Sequence, residues 1–526
     1  MTAMEKNVAG RKTFEEAIKL TGFGKFNFFI ILATGGSLMC VIVETMCAMF
    51  ITPAAQCDLE LSTLHQSLLY SMSFLGVVTG SHLWGYLADT KGRKMVTMLS
   101  LIVSSIFSFI CSFVTVAWLF ILLRFLNGFF IGGSSAIIYA FAGEFHDNRF
   151  RPKVVTWIAT FVAFGNIYIP GMAWVILPQT WSINLPIIDV VFRPWRLLII
   201  IYALPSLFFV ILVFFLPESP KYLMTQGKSE EAICILRQIF AINNGKTRQE
   251  YPVKQIIWDD NETAVQRKKD SGILSSVWQQ TAPVFRRKYI LKTFMVCYLQ
   301  FAIFFTTSTV IMWYPQILNS MSELGKEVPN NEVTMCKAVE NISKNESVQI
   351  LTDNYLTDII IQNDAIRSIE GGKCNDNIND EVFMVSLTIG LCYVICYITI
   401  GSLINLVGPR RLLALFIISG TVAGICAQLL SSYTFIQVTL GIFLMSAPGI
   451  GIVNAIVVDL YPTEIRGMAL AVSLMFGRFG AMSGSYAGGN FFYDLCDYVF
   501  YIIAAFHILV IIVIKLLPSP KSSMKT

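Results

Sequence analysis

The chain has 526 residues, of which 55% are hydrophobic, 13% aromatic and only 14% charged, whereas soluble globular chains carry about 25% charged residues. With a mean hydropathy of +0.63, this composition excludes a string of soluble domains and points to a membrane protein with many spans. The net charge of +5 is small and sits on one side of the predicted membrane, which argues against a nucleic-acid partner.

Glu5, Glu15 and Glu16 precede the first apolar stretch, and that stretch is long enough to span, so it reads as a first transmembrane helix rather than a cleaved signal peptide. A spanning helix needs about 20 mostly apolar residues, and twelve runs qualify. They are 26–50, 64–87, 95–114, 116–141, 154–177 and 197–216, then 290–314, 382–405, 412–430, 434–458, 468–490 and 496–517. The expected fold is therefore all-α, with twelve transmembrane helices in two six-helix bundles. The organisation expected is an N-terminus over 1–25, a first bundle over 26–216, a central loop over 217–289, a second bundle over 290–517 with a long loop at 315–381, and a C-terminus over 518–526.

Orientation follows from where Lys and Arg collect. Lys91, Arg93, Lys94, Arg149, Arg151, Lys153, Arg410, Arg411 and Arg466 fall on one side, as do both termini. Segment 217–289 holds 12 Lys or Arg against 8 Asp or Glu, whereas 315–381 holds 5 against 12. The basic side, with both termini and the central loop, is expected to be cytoplasmic. The acidic side offers Asp58, Glu60, Asp494 and Asp497, with Arg193 and Arg196 as its basic exceptions. It also carries glycosylation sequons at Asn341 and Asn345. Of the 12 cysteines, the reading leaves Cys57, Cys336 and Cys374 outside, where a Cys336–Cys374 bridge and free thiols are both open.

The motif-bearing stretch runs from Gly80 through Gly85, Asp89 and Gly92 to Arg93 and Lys94 at the basic end of the second span. Gly80 and Gly85 are expected to let neighbouring helices approach closely. Asp89 suits a helix N-terminus or an Arg partner, and Gly92 permits a tight turn. A worn copy recurs from Gly401 through Asn405 and Gly408 to Arg410 and Arg411. Repeated six-helix halves are the signature of a secondary transporter with its site between the halves.

On these residues the sequence resembles the major facilitator superfamily across all twelve spans. The run Arg124 to Gly133, ending in Glu144, is similar to that superfamily's fourth-span motif. Pro217 to Leu223 and Asp459 to Gly467 resemble segments of sugar porters, organic-ion transporters and the synaptic vesicle glycoprotein 2 group. Phe14 to Phe26, Met172 to Pro178, Pro194 to Arg196 and Trp313 to Pro315 are similar to that last group. Val41 departs from it, standing where the group typically has an acid one turn before Glu44.

The resemblance implies a secondary active transporter of a small organic solute (an organic cation or anion, or a sugar) working by alternating access as a monomer in a lipid bilayer, with protons as a candidate coupling ion. An intramembrane carboxylate is costly unless paired or functional. Glu44 and Arg124 are expected at a comparable depth and facing each other, as such a pair does in proton-coupled relatives. A permanent structural pair and direct contact of Glu44 with a cationic substrate are the competing readings. Trp174 and Trp313 are expected at the central cavity, with Asn166, Tyr168, Gln300 and Asn454 completing it, each against a simple packing role. For Arg478, anion binding and a place in the charge cluster are both open. His82 and His507 are read as core. Asp89, Arg93, Glu144, Arg149, Asp459, Glu464 and Arg466 are expected to form an inner gate rather than to touch substrate.

Other classes fit poorly. Gly227-Lys228-Ser229 and Gly245-Lys246-Thr247 lack the glycine five positions earlier that a phosphate loop requires. The four histidines show no metal-ligand spacing, so no enzyme, ATP-driven pump, metal or cofactor is expected. The runner-up is a vesicle glycoprotein that keeps the transporter fold but acts mainly as a binding or trafficking partner.

Overall fold

A computed structural model describes residues 11–186, 189–257, 281–327, 334–340 and 376–518. Eleven of its helical segments are long and apolar enough to cross a membrane. A twelfth long helix, Thr63–Lys91, is the second span. Its Ser, Thr and Gly content, which serves close packing, makes it less apolar than the others.

Three expected spans are broken helices. The first runs Lys25–Met46 and then Ala48–Ala55, the fifth Arg151–Ala159 and then Phe161–Ile176, and the tenth Tyr433–Leu444 and then Gly449–Leu460. The third, fourth and sixth are Arg93–Cys111, Ala117–Gly143 and Pro194–Phe215. The eighth, ninth, eleventh and twelfth are Asp380–Val407, Pro409–Leu429, Thr463–Asp494 and Val499–Leu516. The seventh, Ile290–Glu327, continues well past the expected end at 314. Its extension is held by burial of Ile317, Leu318 and Met321.

The halves meet along two seams, one between the second and eleventh spans and one between the fifth and eighth. Glycines set how closely helices approach within and between the halves. A β-carbon on Gly128 would lie 2.1 Å from the Ser73 carbonyl oxygen, and one on Gly76 2.2 Å from that of Phe125. On the eleventh span, Gly480 and Gly484 stand equally close to the backbone of Phe301 and Phe305 in the seventh. Gly80 fits this pattern, 2.6 Å from the Phe129 oxygen. Gly85 does not, because nothing lies within 4 Å of its would-be β-carbon; it faces a cavity instead of a helix.

At the basic end the N-terminal segment is not a free tail. Strand β1 (Arg11–Thr13) pairs in parallel with Gln255–Ile257 of the central loop, and helix Phe14–Leu20 buries Phe14, Ala17 and Ile18. Helix Ser229–Asn244 of the same loop packs there through Ile233, Leu236 and Ile239. Tyr251 donates to the Ala17 carbonyl at 2.7 Å, and Asn243 donates to the carbonyls of Thr21 and Gly22.

At the acidic end, Arg193 and Arg196 both pair with Asp58, at 3.1 and 3.4 Å, and Arg193 also lies 3.7 Å from Asp376, which explains the two basic exceptions. The Cys336–Cys374 bridge is not formed. Cys336 is bonded to Cys496, which the sequence placed inside the twelfth span. That span begins only at Val499, after a short turn, so Cys496 is at the acidic end and within reach. Cys57 is also disulfide-bonded. Cys374, Asn341 and Asn345 lie outside the described residues.

Two of these glycines lead to opposite predictions. Gly128→Ala, on the fourth span facing Ser73, should destabilise the protein by about 1–3 kcal/mol through overpacking. Gly85→Ala, on the second span, should be neutral or stabilising by up to about 1 kcal/mol, because alanine favours a helix interior. Thermal unfolding of the purified variants in detergent measures both.

Candidate functional site

A cavity of about 580 Å3 opens between the halves at the basic end. Its walls are the second span (Ser81, His82, Gly85, Tyr86, Asp89), the fourth (Ser135, Tyr139) and the eleventh (Gly467, Met468, Ala471, Met475, Arg478). Helical repeat explains the choice: positions 81, 85 and 89 share one face, as do 471, 475 and 478. His82, read from sequence as core, is exposed on this wall. His507 is fully buried, between the hydroxyls of Thr306 (3.0 Å) and Thr421 (2.8 Å).

Arg478 stands at the inner limit of this cavity. It crosses the seam, donating from Nη1 to the Ser81 hydroxyl at 2.8 Å and from Nη2 to the Ser135 hydroxyl. Among the described residues no carboxylate pairs with it. A guanidinium held by neutral hydroxyls in a membrane interior keeps an uncompensated positive charge.

Of the other expected cavity residues, none lines this space. Trp313 is sealed at the acidic end, donating to the Ser485 carbonyl at 3.1 Å and stacked edge-on with Tyr70 and Tyr493. Trp174 points outward, 37% exposed, as an interfacial tryptophan does. Tyr168 donates to the Ile201 carbonyl within the first half. Gln300 donates to Asn454 at 2.7 Å within the second. Asn166 packs against Gly390 on the seam between the fifth and eighth spans, beside a gap of only about 20 Å3. Tyr168, Gln300 and Trp313 thus each spend a donor on helix packing, which spacing along a sequence does not reveal.

Glu44 and Arg124 come together away from the cavity, both about 1% exposed, with Glu44 Oε2 3.7 Å from Arg124 Nη1. Ser108 (2.6 Å) and Asn127 (3.1 Å) donate to the same carboxylate oxygen. Arg124 also donates to the carbonyl of Glu44 and to Cys47 Sγ, at the break in the first span. Glu44 is buried inside the first half and does not line the cavity in this conformation.

The inner charges divide. Arg93 pairs with Asp89 at 2.8 Å and with Glu144 at 3.3 Å. Burial pushes the Glu144 carboxyl upward, against the opposing pull of Arg93. Arg149 is not in this group; it stacks on Phe150, and Arg151 takes the structural position, 3.0 Å from Glu15. Asp459 and Arg466 have no ion-pair partner among the described residues, and the Glu464 side chain lies outside them. The cavity stands between the Asp89–Arg93 group and the Gly467–Met468 rim, which is why the two sets of charges remain apart.

Glu218 is the participant that sequence reasoning passed over, although it lies in the quoted Pro217–Leu223 stretch. Its Oε1 accepts from the backbone N–H groups of Arg93 (3.0 Å) and Lys94 (3.2 Å), capping the third span from 125 residues away. Gly92 makes room for it, with φ +105 and a would-be β-carbon 2.3 Å from Glu218 Oε2. Gly408 repeats the conformation, φ +88, in the second half but faces open space.

Comparison with known proteins defines the class. The fold matches that of the partially occluded inward-open xylose transporter XylE from E. coli, with a TM-score of 0.62 at 14% identity over 94% of this chain and all of that one. It also matches a mutant of the nucleoside transporter NupG, with a TM-score of 0.56 at 12% identity and the same coverage of both chains. The fold is thus that of the major facilitator superfamily, whose family model matches residues 379–526. The model described as "Sugar (and other) transporter" matches residues 52–336, more than half the chain, and the chain belongs to that family. Among individual proteins it is similar to synaptic vesicle glycoprotein 2A of Rattus norvegicus, 29% identical over 325 residues, and to synaptic vesicle glycoprotein 2B of Homo sapiens, 29% identical over 322. These alignments cover 59% and 58% of this chain but 44% and 47% of the relatives, so the chain spans less than half of their length.

Glu218→Ala should lower stability by about 0.5–2 kcal/mol, the usual worth of an N-cap. Gly92→Ala should cost more, because it combines a strained φ with a clash. The double variant should fall short of the sum, since both act on one contact. Thermal unfolding of the three proteins checks this.

Proposed function

We propose that this chain is a secondary transporter for a small organic anion, with both termini in the cytoplasm and the structure in its inward-facing state. The observation that carries the reading is Arg478: a cation at the closed end of a cavity, bonded only to neutral groups, across the line where the halves meet. An anion entering from the basic end would supply the missing charge, through charge-assisted hydrogen bonds stronger than those to hydroxyls. The cavity lies within the usual range for small-molecule sites, about 300–1,000 Å3, and the rings of Tyr86, Tyr139 and His82 offer faces to a flat apolar body. Because Arg478 bonds to Ser81 and Ser135 of the other half, ligand binding there also bears on how the halves sit together.

Closure at the acidic end fits alternating access. Gln316 donates to Gln66 at 3.0 Å and to Tyr493 at 3.1 Å, while Arg193 lies 3.7 Å from Asp376 across the halves. In this reading Glu44 is the protonation site. Protonation would remove its attraction for Arg124 and leave a buried guanidinium to find other acceptors, altering the break in the first span.

Counterflow in proteoliposomes tests the substrate class. Arg478→Gln should weaken organic-anion binding about tenfold or more, the scale of a lost charge-assisted hydrogen bond. Unchanged anion affinity, or a neutral sugar bound equally well by wild type and variant, overturns the anion reading. Glu44→Gln should retain counterflow but lose its response to an imposed pH gradient. Uptake that still follows the gradient in this variant rules Glu44 out as the coupling site. Absence of flux from folded protein with every solute class would favour the binding-partner role, to which the similarity to synaptic vesicle glycoproteins lends support.

A further inference from the structure

The acidic end holds a second, separate cavity of about 230 Å3 between the second and eleventh spans. Its walls carry Ser67 and Thr63 from one half and Tyr486, Asn490, Tyr493 and Asp494 from the other. Positions 486, 490, 493 and 494 recur at helical spacing and so form one face of the eleventh span. Gly489 brings that face against the second span, where a β-carbon would lie 2.1 Å from Ser67 Oγ. The pocket therefore exists only while this seam is closed.

Its electrostatics are one-sided. Asp494 is the last residue of a 32-residue helix, where the carboxylate adds to the negative end of the helix dipole instead of opposing it. Among the described residues it has no cationic partner. The arginines of that end are taken by Asp58 and Asp376. The same pocket is lined by two tyrosines, Tyr493 next to Asp494 in the chain and Tyr486 about two turns earlier on the helix, the latter 40% exposed. A carboxylate and aromatic rings lining one pocket are a setting for an organic cation, which gains from the ring quadrupole as well as from the charge.

We propose that this acidic-end pocket binds a small organic ammonium ion and that its occupancy favours the conformation closed at the acidic end. The pocket lies at the opposite end of the seam from Arg478, and the proposal does not rest on the anion reading.

Choline chloride is the probe, titrated against the purified full chain in detergent with thermal unfolding as readout and sodium chloride as the ionic-strength control. The melting temperature should rise saturably with choline and not with sodium. Asp494→Asn should raise the half-maximal choline concentration about tenfold or more. Tyr486→Ala should weaken the response and Tyr486→Phe retain it. Asn490→Lys, an exposed change that places a tethered cation in the pocket, should abolish it without depending on how Asp494→Asn folds. A wild-type response in Asp494→Asn or Asn490→Lys, or an equal shift with sodium, overturns the proposal.

Discussion

A charge inside an apolar slab must be matched or solvated, and much of this protein's arrangement follows from how it meets that demand. Glu44 and Arg124 meet it by mutual pairing, with Ser108 and Asn127 sharing the carboxylate. Arg196 reaches the acidic end to find Asp58 and the carbonyls of Ser112 and Val114. Of these three arginines Arg478 is the one whose described partners are all neutral and that adjoins a cavity. The distinction separates a charge that holds helices together from one left facing a cavity.

The second constraint is how closely backbones approach. Lipid gives no hydrophobic drive for helices to associate, so contact surfaces depend on small residues and close packing. Here the glycines divide by location. Gly76, Gly80 and Gly128 join the second and fourth spans into one unit, and Gly480 and Gly484 do the same for the seventh and eleventh. Gly489 instead lies on the seam between the units. Stiff pairs and a seam held by few polar contacts are the arrangement that rigid-body rocking requires.

Much of the architecture can be read from sequence because twelve apolar runs and their basic flanks are one-dimensional signals. Hydropathy located the seventh span but not its extension to Glu327, since the added turns are buried by protein and not by lipid. The Glu44–Arg124 encounter was accessible because two rare intramembrane charges at similar depth have few alternatives. The cavity wall was not accessible in the same way. Ser81, Ser135 and Tyr139 are ordinary residues on helices full of them, and Gln300 or Tyr168 look equally suitable until their partners are seen. The Cys336–Cys496 bridge is not legible for a related reason: the sequence makes Cys496 the first residue of the twelfth span, whereas the α-helix begins at Val499 and leaves that cysteine in the preceding turn.

The fourth span ties the buried pair to the cavity. Arg124 and Asn127 contact Glu44 on one stretch of it, and Ser135 and Tyr139 line the cavity about two to four turns further on. Between them Gly128 and Gly132 press this helix onto the second span, and Trp84 donates to the Phe129 carbonyl at 2.7 Å. A helix clamped so tightly along its length moves as a body. In the proposed reading a displacement at Arg124 would be carried to Ser135, and through its bond to Arg478 into the opposite half. That route consists of one packed helix and one cross-half hydrogen bond, and it is how protonation of Glu44, sealed from the cavity, would bear on Arg478.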